Sequence, residues 1–115
     1  MNILITGAAG CLGSRLVEVL LSNKDNKVFA TDIKSNPFNT NENLCYQALD
    51  LQSENFIQWV EEKRPHCVIH LASVLQLSTK ITREIAYKID IEATQRLLKS
   101  CIKLDVEKFI ITKSG

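Results

Sequence analysis

Residues 2–13 read NILITGAAGCLG, and the fold follows from how this stretch is parsed. Asn2–Thr6 is an apolar, β-rich run with the length of a buried strand. Gly7 ends it, and Gly10 and Gly13 follow at regular spacing. Beyond Cys11, the residues Leu12, Leu16, Val17, Leu20 and Leu21 recur as one face of a helix, so residues 11–23 are predicted helical. A strand that turns through glycines into a helix is the opening of a β-α-β unit, the building block of parallel sheets.

The rest of the chain continues the alternation. KVFAT (27–31) is a second strand, and IKSNPFNTNEN (33–43), rich in Asn and carrying Pro37, is a loop. LCYQA (44–48) is a short third strand. Ser53 is placed to cap a helix through ENFIQWVEEKR, which Pro65 then stops. CVIHLA (67–72) is a fourth strand. Apolar positions 85, 89, 93, 97 and 101 mark a long amphipathic helix over about 83–104, and KFIIT (108–112) is a fifth strand. Strands alternating with helices predict an α/β fold: a Rossmann-like, doubly wound parallel sheet in the order 3-2-1-4-5, within a single domain over 1–115.

This topology predicts an imbalance. The 11–23 helix covers one sheet face alone, because the 33–43 loop brings no second helix, while the two later helices cover the other. Part of the first face is therefore expected bare, and the fifth strand is expected to be an apolar edge without a partner.

The glycine turn carries chemistry. A tight turn needs φ values that glycine tolerates, and main-chain N–H groups approach a pair of phosphates only where no Cβ intervenes. The helix start adds unpaired donors and the positive end of its dipole. Gly7, Gly10 and Gly13 are thus candidate diphosphate-binding residues. Asp32, at the end of the second strand, stands where an acceptor for ribose hydroxyls belongs. Its charge repels a 2′-phosphate, and Ile33 rather than an arginine follows. NAD is the expected cofactor and NADP the disfavoured one, with Lys34 alone speaking for the latter.

Composition narrows the partners. Of 115 residues, 14 are basic and 13 acidic, a net charge of +1 that gives no attraction to nucleic acid or a membrane surface. Cys11, Cys45, Cys67 and Cys101 are scattered singly, which argues against zinc and for reduced, mostly buried thiols. MNILITG lacks the basic lead-in and long apolar core of a signal peptide, and a cytoplasmic location is expected. His70 inside an apolar strand reads as a hydrogen-bonded core residue and His66 as solvated in a turn. Phe56 and Trp59 read as core packing.

TGAAGCLG, with ALDLQ (48–52), VIHLAS (68–73), YKIDIEATQRLLKSC (87–101) and KFIITKSG (108–115) in order, resembles the extended short-chain dehydrogenase/reductases of the NAD-dependent epimerase/dehydratase family. The resemblance covers the whole chain. It implies a Rossmann domain that binds NAD, followed by a smaller substrate domain, often for a nucleotide sugar. It further implies that the amides of Cys11 and Leu12 face the diphosphate and that Asp50 and Leu51 lie beside the adenine. Leu71, Ala72 and Ser73 would line the cofactor, and Ser114 would be the active-site serine. A homodimer of the intact protein, formed through the helix at 83–104 paired with another helix downstream, is also implied.

The chain departs from the family pattern at Asp90, Ala93 and Lys113. The larger departure concerns the catalytic Tyr-x-x-x-Lys, which in the family lies downstream of the serine. Neither Tyr46 nor Tyr87 has lysine at the fourth position after it. The expectation is the cofactor-binding portion of a larger enzyme, truncated before its acid/base pair. A non-catalytic NAD-binding module and an inactive remnant are the alternatives.

Overall fold

The computed structural model describes residues 1–71 and 83–111. The elements run β1 (Asn2–Thr6), α1 (Cys11–Leu21), β2 (Lys27–Asp32), β3 (Leu44–Ala48), α2 (Glu54–Lys63), β4 (Cys67–His70), α3 (Arg83–Lys103) and β5 (Lys108–Ile111). The five strands form one sheet in the order β3-β2-β1-β4-β5. Every pairing is parallel, with Ile3 opposite both Val28 and Cys67, and Ile5 opposite both Ala30 and Ile69. This is the Rossmann arrangement expected from the alternation of strands and helices.

Successive strand side chains point to opposite faces, and the sheet sorts its core accordingly. Ile3, Ile5, Val28, Ala30, Cys67 and Ile69 pack with Val17 of α1 on one face. Leu4, Phe29 and Val68 pack with Phe56, Trp59 and Val60 of α2 and with Leu97 and Cys101 of α3 on the other. Ala93 is also buried on α3.

The first face is covered differently from the expectation. The 33–43 loop forms no helix, yet Phe38 within it packs on the α1-side core together with Tyr46, their ring centroids 5.9 Å apart. An aromatic pair stands in part of the place a second helix would fill. At the other end the expectation of exposed apolar residues holds: Ile110 and Ile111 of β5 are 45% and 47% exposed.

Element ends follow local chemistry. Helix α1 stops at Leu21 rather than at 23, because polar side chains capture carbonyls of its last turn. Ser22 Oγ donates to Val19 O at 2.5 Å and Asn26 Nδ2 donates to Leu20 O at 3.1 Å. Ser53 caps α2 as expected, its hydroxyl accepting from the Phe56 amide at 3.3 Å. Arg64 closes that helix in the left-handed region at φ 45°, and the buried Pro65 follows. β2 runs one residue further than its apolar pattern, to Asp32, whose carbonyl accepts from the Leu49 amide.

The cysteines are all free, but only Cys67 and Cys101 are buried; Cys45 is half-buried and Cys11 exposed. Burial pushes the Cys101 thiol up to about 11, so it stays protonated and inert. Among the described residues no cluster of His, Cys, Asp and Glu suits a metal ion. Nor is any described helix long and apolar enough to cross a membrane.

Candidate functional site

The site lies at the carboxyl ends of β1, β2 and β4. Gly7 turns the chain at φ 70°, a conformation that side chains rarely adopt. Its carbonyl accepts from the Gly10 amide at 3.2 Å, closing a tight turn. Gly10 then caps α1 with extended backbone, and no acidic side chain occupies the first helical turn. Cys11 and Leu12 open the helix and are exposed.

Gly13 is the most constrained position. A Cβ there would stand 2.2 Å from the Gly7 carbonyl oxygen and 2.9 Å from Ala8 Cα, so only glycine lets α1 sit this close to the turn. At Gly10 a Cβ would meet the Gly7 oxygen at 3.4 Å, an ordinary contact. The two glycines therefore do different things: Gly13 is required by packing, whereas Gly10 leaves the mouth of the turn without a side chain. The resulting cradle, a helix start whose first amides have no partner among the described residues and whose mouth has no Cβ at Gly10, fits a diphosphate.

The turn is also anchored to β2. The Ala8 amide donates to Thr31 O at 3.1 Å. The Ala9 amide donates to Asp32 Oδ2 at 3.0 Å, and the Lys34 amide donates to Asp32 Oδ1 at 3.2 Å. Asp32 is thus brought directly to the glycine turn, a contact that sequence reasoning missed. Its signal was available: an acidic residue ending the neighbouring parallel strand lies level with the first turn after β1, since Thr6 pairs with Thr31.

Asp50 and Leu51 lie at the entrance to α2, beyond β3. Asp50 Oδ1 accepts from the Gln52 amide at 2.9 Å, and its carbonyl accepts from the Ser53 hydroxyl at 2.6 Å. Leu51 is half-buried against the α2-side core. Leu71 follows β4, and its amide donates to both the carbonyl and the hydroxyl of Thr6 at 3.2 and 3.1 Å. Ala72, Ser73 and Ser114 lie outside the described residues.

His70 is the second feature the sequence hinted at without resolving. It is buried, with Nδ1 2.7 Å from Thr6 Oγ1 and Nε2 3.2 Å from Thr94 Oγ1. The Thr94 hydroxyl donates to the Asp90 carbonyl at 2.9 Å, which leaves it to accept from Nε2–H. With Nδ1 against the Thr6 hydroxyl, the ring joins the ends of β1 and β4 to α3. Burial holds its pKa below the ordinary histidine value, with Asp90 acting the other way. His66 is exposed as expected, although its Nδ1 accepts from the Asn2 amide at 2.9 Å.

Tyr46 stands near the site but is unsuited to moving protons. Its hydroxyl donates to the Lys34 carbonyl at 2.6 Å. Burial, and then the charge of Asp32, push its pKa up to about 12. A tyrosine that transfers protons needs the opposite shift.

A parallel sheet with a glycine turn after its first strand and a carboxylate at the tip of its second is a Rossmann domain of the dinucleotide-binding class. The chain belongs to the NAD dependent epimerase/dehydratase family, whose model matches residues 3–115. It is 27% identical to the UDP-glucose 4-epimerase of Caenorhabditis elegans, covering all of this chain and 38% of that protein. It is 26% identical to the decarboxylating sterol-4-alpha-carboxylate 3-dehydrogenase of Schizosaccharomyces pombe, again over its whole length and 34% of the relative.

Among solved structures, the UDP-glucose 4-epimerase of Thermotoga maritima with UDP-glucose superposes with a TM-score of 0.81 at 30% identity. That match covers 100% of this chain and 38% of the other. MoeE5 in complex with UDP-glucuronic acid and NAD gives a TM-score of 0.75 at 30% identity, over 96% of this chain and 36% of the other. The chain thus spans little more than a third of the length of these relatives.

Proposed function

We propose that this chain is the NAD-binding portion of an epimerase/dehydratase-type oxidoreductase acting on a nucleotide sugar or a similar hydroxylated compound. One observation carries the reading. The Asp32 carboxylate stands 3.0 Å from the Ala9 amide, so an acceptor suited to a ribose and a turn suited to a diphosphate lie side by side.

In this reading the amides of Cys11 and Leu12 bind the diphosphate, in the space that Gly7, Gly10 and Gly13 leave open. Asp32 accepts from the adenosine ribose, and Asp50 and Leu51 border the adenine. Leu71, Ala72 and Ser73 line the inner part of the cofactor, and Ser114 orients the reacting oxygen of the substrate. When bound, NAD supplies a hydride acceptor for oxidation at a hydroxyl-bearing carbon. The nucleotide-sugar assignment rests on family membership and on the names of the epimerases above.

The acid/base pair and a smaller substrate domain stand outside these 115 residues in this proposal. Neither Tyr46 nor Tyr87 begins a Tyr-x-x-x-Lys, and loss of a general acid/base costs roughly 10² to 10⁴ in rate. The 115 residues alone are therefore expected to turn over no substrate. The four free thiols suit a reducing compartment, here the cytoplasm. A homodimer through α3 belongs to the same proposal, with Ile91, Leu98 and Ile102 exposed along that helix.

Titration of the purified chain with NAD and with NADP, with circular dichroism reporting the fold, tests the cofactor assignment. Saturable NAD binding is expected. NADP should bind at least about tenfold more weakly, because charges a few ångströms apart near a protein surface repel by one to several kcal/mol. A preference for NADP overturns the role of Asp32, and failure of a folded chain to bind either cofactor overturns the reading.

A further inference from the structure

Asp32 makes contacts that a ribose acceptor does not require. Its two carboxylate oxygens already accept from two main-chain amides, Ala9 within the glycine turn and Lys34 just beyond β2. Each oxygen retains further lone-pair capacity, so ribose hydroxyls can be added without displacing either amide. The Ala9 amide falls between Gly7, at φ 70°, and Gly10, the residue that starts α1. A conformation built on glycines costs more ordering entropy than any other, so it needs something to hold it. Among the described residues, the backbone ties the turn to β2 through the Ala8 amide to Thr31 O at 3.1 Å and closes it through the Gly10 amide to Gly7 O at 3.2 Å. The Ala9 amide adds a link from turn to sheet whose acceptor is a carboxylate, and hydrogen bonds to charged groups are the stronger kind.

We propose that Asp32 is a positioning residue for the phosphate-binding turn: by accepting from the Ala9 amide it holds the glycine turn in its receptive shape before any cofactor arrives. The same carboxylate then couples the two halves of the ligand site. The turn that receives the diphosphate is braced by the group that receives the ribose, so damage at Asp32 spreads to phosphate binding. This rests on the cofactor assignment proposed above and goes beyond it, because a carboxylate acting on the ribose alone would leave the turn indifferent to its loss.

The test separates ribose contact from turn bracing by choice of ligand. Affinities of the wild-type chain, Asp32→Ala and Asp32→Asn are measured for NAD and for its analogue with a 2′,3′-dideoxyadenosine half, which has no hydroxyl for Asp32 to accept from. Asp32→Ala should weaken the analogue as well as NAD, the analogue by about tenfold, the scale of one charged hydrogen bond. Asp32→Asn keeps a carbonyl oxygen for the Ala9 amide and should restore most of the analogue affinity.

An Asp32→Ala chain that loses NAD affinity but binds the analogue like wild type overturns the bracing role and leaves the cofactor assignment standing. A folded wild-type chain that binds neither ligand sinks the assignment itself. Should Asp32→Ala fail to fold, hydrogen exchange on the wild-type chain decides. The Ala9 amide should exchange at least about tenfold more slowly than an unstructured one, and slow exchange retained in Asp32→Asn supports the bracing. An unprotected Ala9 amide in the wild-type chain overturns it.

Discussion

Gly10 and Gly13 look equivalent in the sequence and should behave differently when changed to alanine. At Gly13 the new Cβ meets backbone at 2.2 and 2.9 Å, and backbone cannot swing aside as a side-chain tip can. Gly13→Ala should push α1 off the turn and destabilise the chain by on the order of 1–3 kcal/mol, as overpacked cores do. Gly10→Ala meets its neighbour at 3.4 Å with φ at −74°, so it should fold with a loss of about 1 kcal/mol or less, and yet bind NAD less well. Urea unfolding alongside NAD titration checks both. His70 supplies a residue-scale prediction of another kind. Its folded pKa lies below the ordinary 6.5, burial being the first cause and the opposing charge of Asp90 the second. The unfolded chain therefore binds this proton before the folded one does. Stability from this group is complete above about pH 6.5 and is lost as pH falls from there toward the folded value. Urea midpoints followed down through pH 6.5 should decline in the wild-type chain. His70→Gln, unable to take up a proton, should flatten that decline.

Ser53 shows how an element is set by one side chain. Its hydroxyl accepts from the Phe56 amide and donates to the Asp50 carbonyl, so it joins the β3–α2 connection to the helix start. Ser53→Ala should cost about 1 kcal/mol, read from urea midpoints, because a first-turn donor loses its partner. This cap was legible in the sequence, as were all five strands, both later helices and the strand order, because each rests on local periodicity and on the short right-handed crossovers that parallel strands demand. What was not legible depends on contacts between distant side chains. Helix α1 ends early because Asn26 reaches back to Leu20, and apolar spacing does not register such a capture. The loop at 33–43 covers sheet by way of Phe38, a single aromatic in an Asn-rich stretch whose composition reads as solvated. At the site, Gly7, Gly10, Gly13 and Asp32 were readable from type and order. The bond from Ala9 to Asp32 was not, because main-chain amides leave no mark in a sequence. The Thr6–His70–Thr94 chain was half readable: a histidine amid Cys67, Val68 and Ile69 must find polar partners, but only the fold says which.

Across the whole molecule, the uneven edges of the sheet govern solution behaviour. Among the described residues β5 pairs with β4 alone, and it carries Ile110 and Ile111 nearly half exposed. An apolar edge strand is a template for pairing with another chain. With a net charge of +1, the protein offers little electrostatic repulsion to oppose that contact. The isolated chain should therefore self-associate as its concentration rises, visible in sedimentation as a growing heavy fraction. Ile111→Lys places a charge on the edge at a position 47% exposed, where little burial is given up. It should lower the heavy fraction while leaving the urea midpoint nearly unchanged. Phe109→Lys is the informative contrast, because Phe109 is half-buried and packs on the core that Leu4, Val68 and Leu97 share. That substitution should cost roughly 1–3 kcal/mol from lost apolar burial, and by loosening the chain it should raise the heavy fraction despite adding the same charge. If Ile111→Lys sediments like wild type while remaining folded, association runs through another surface, and the exposed residues Ile91, Leu98 and Ile102 of α3 become the place to put the next lysine.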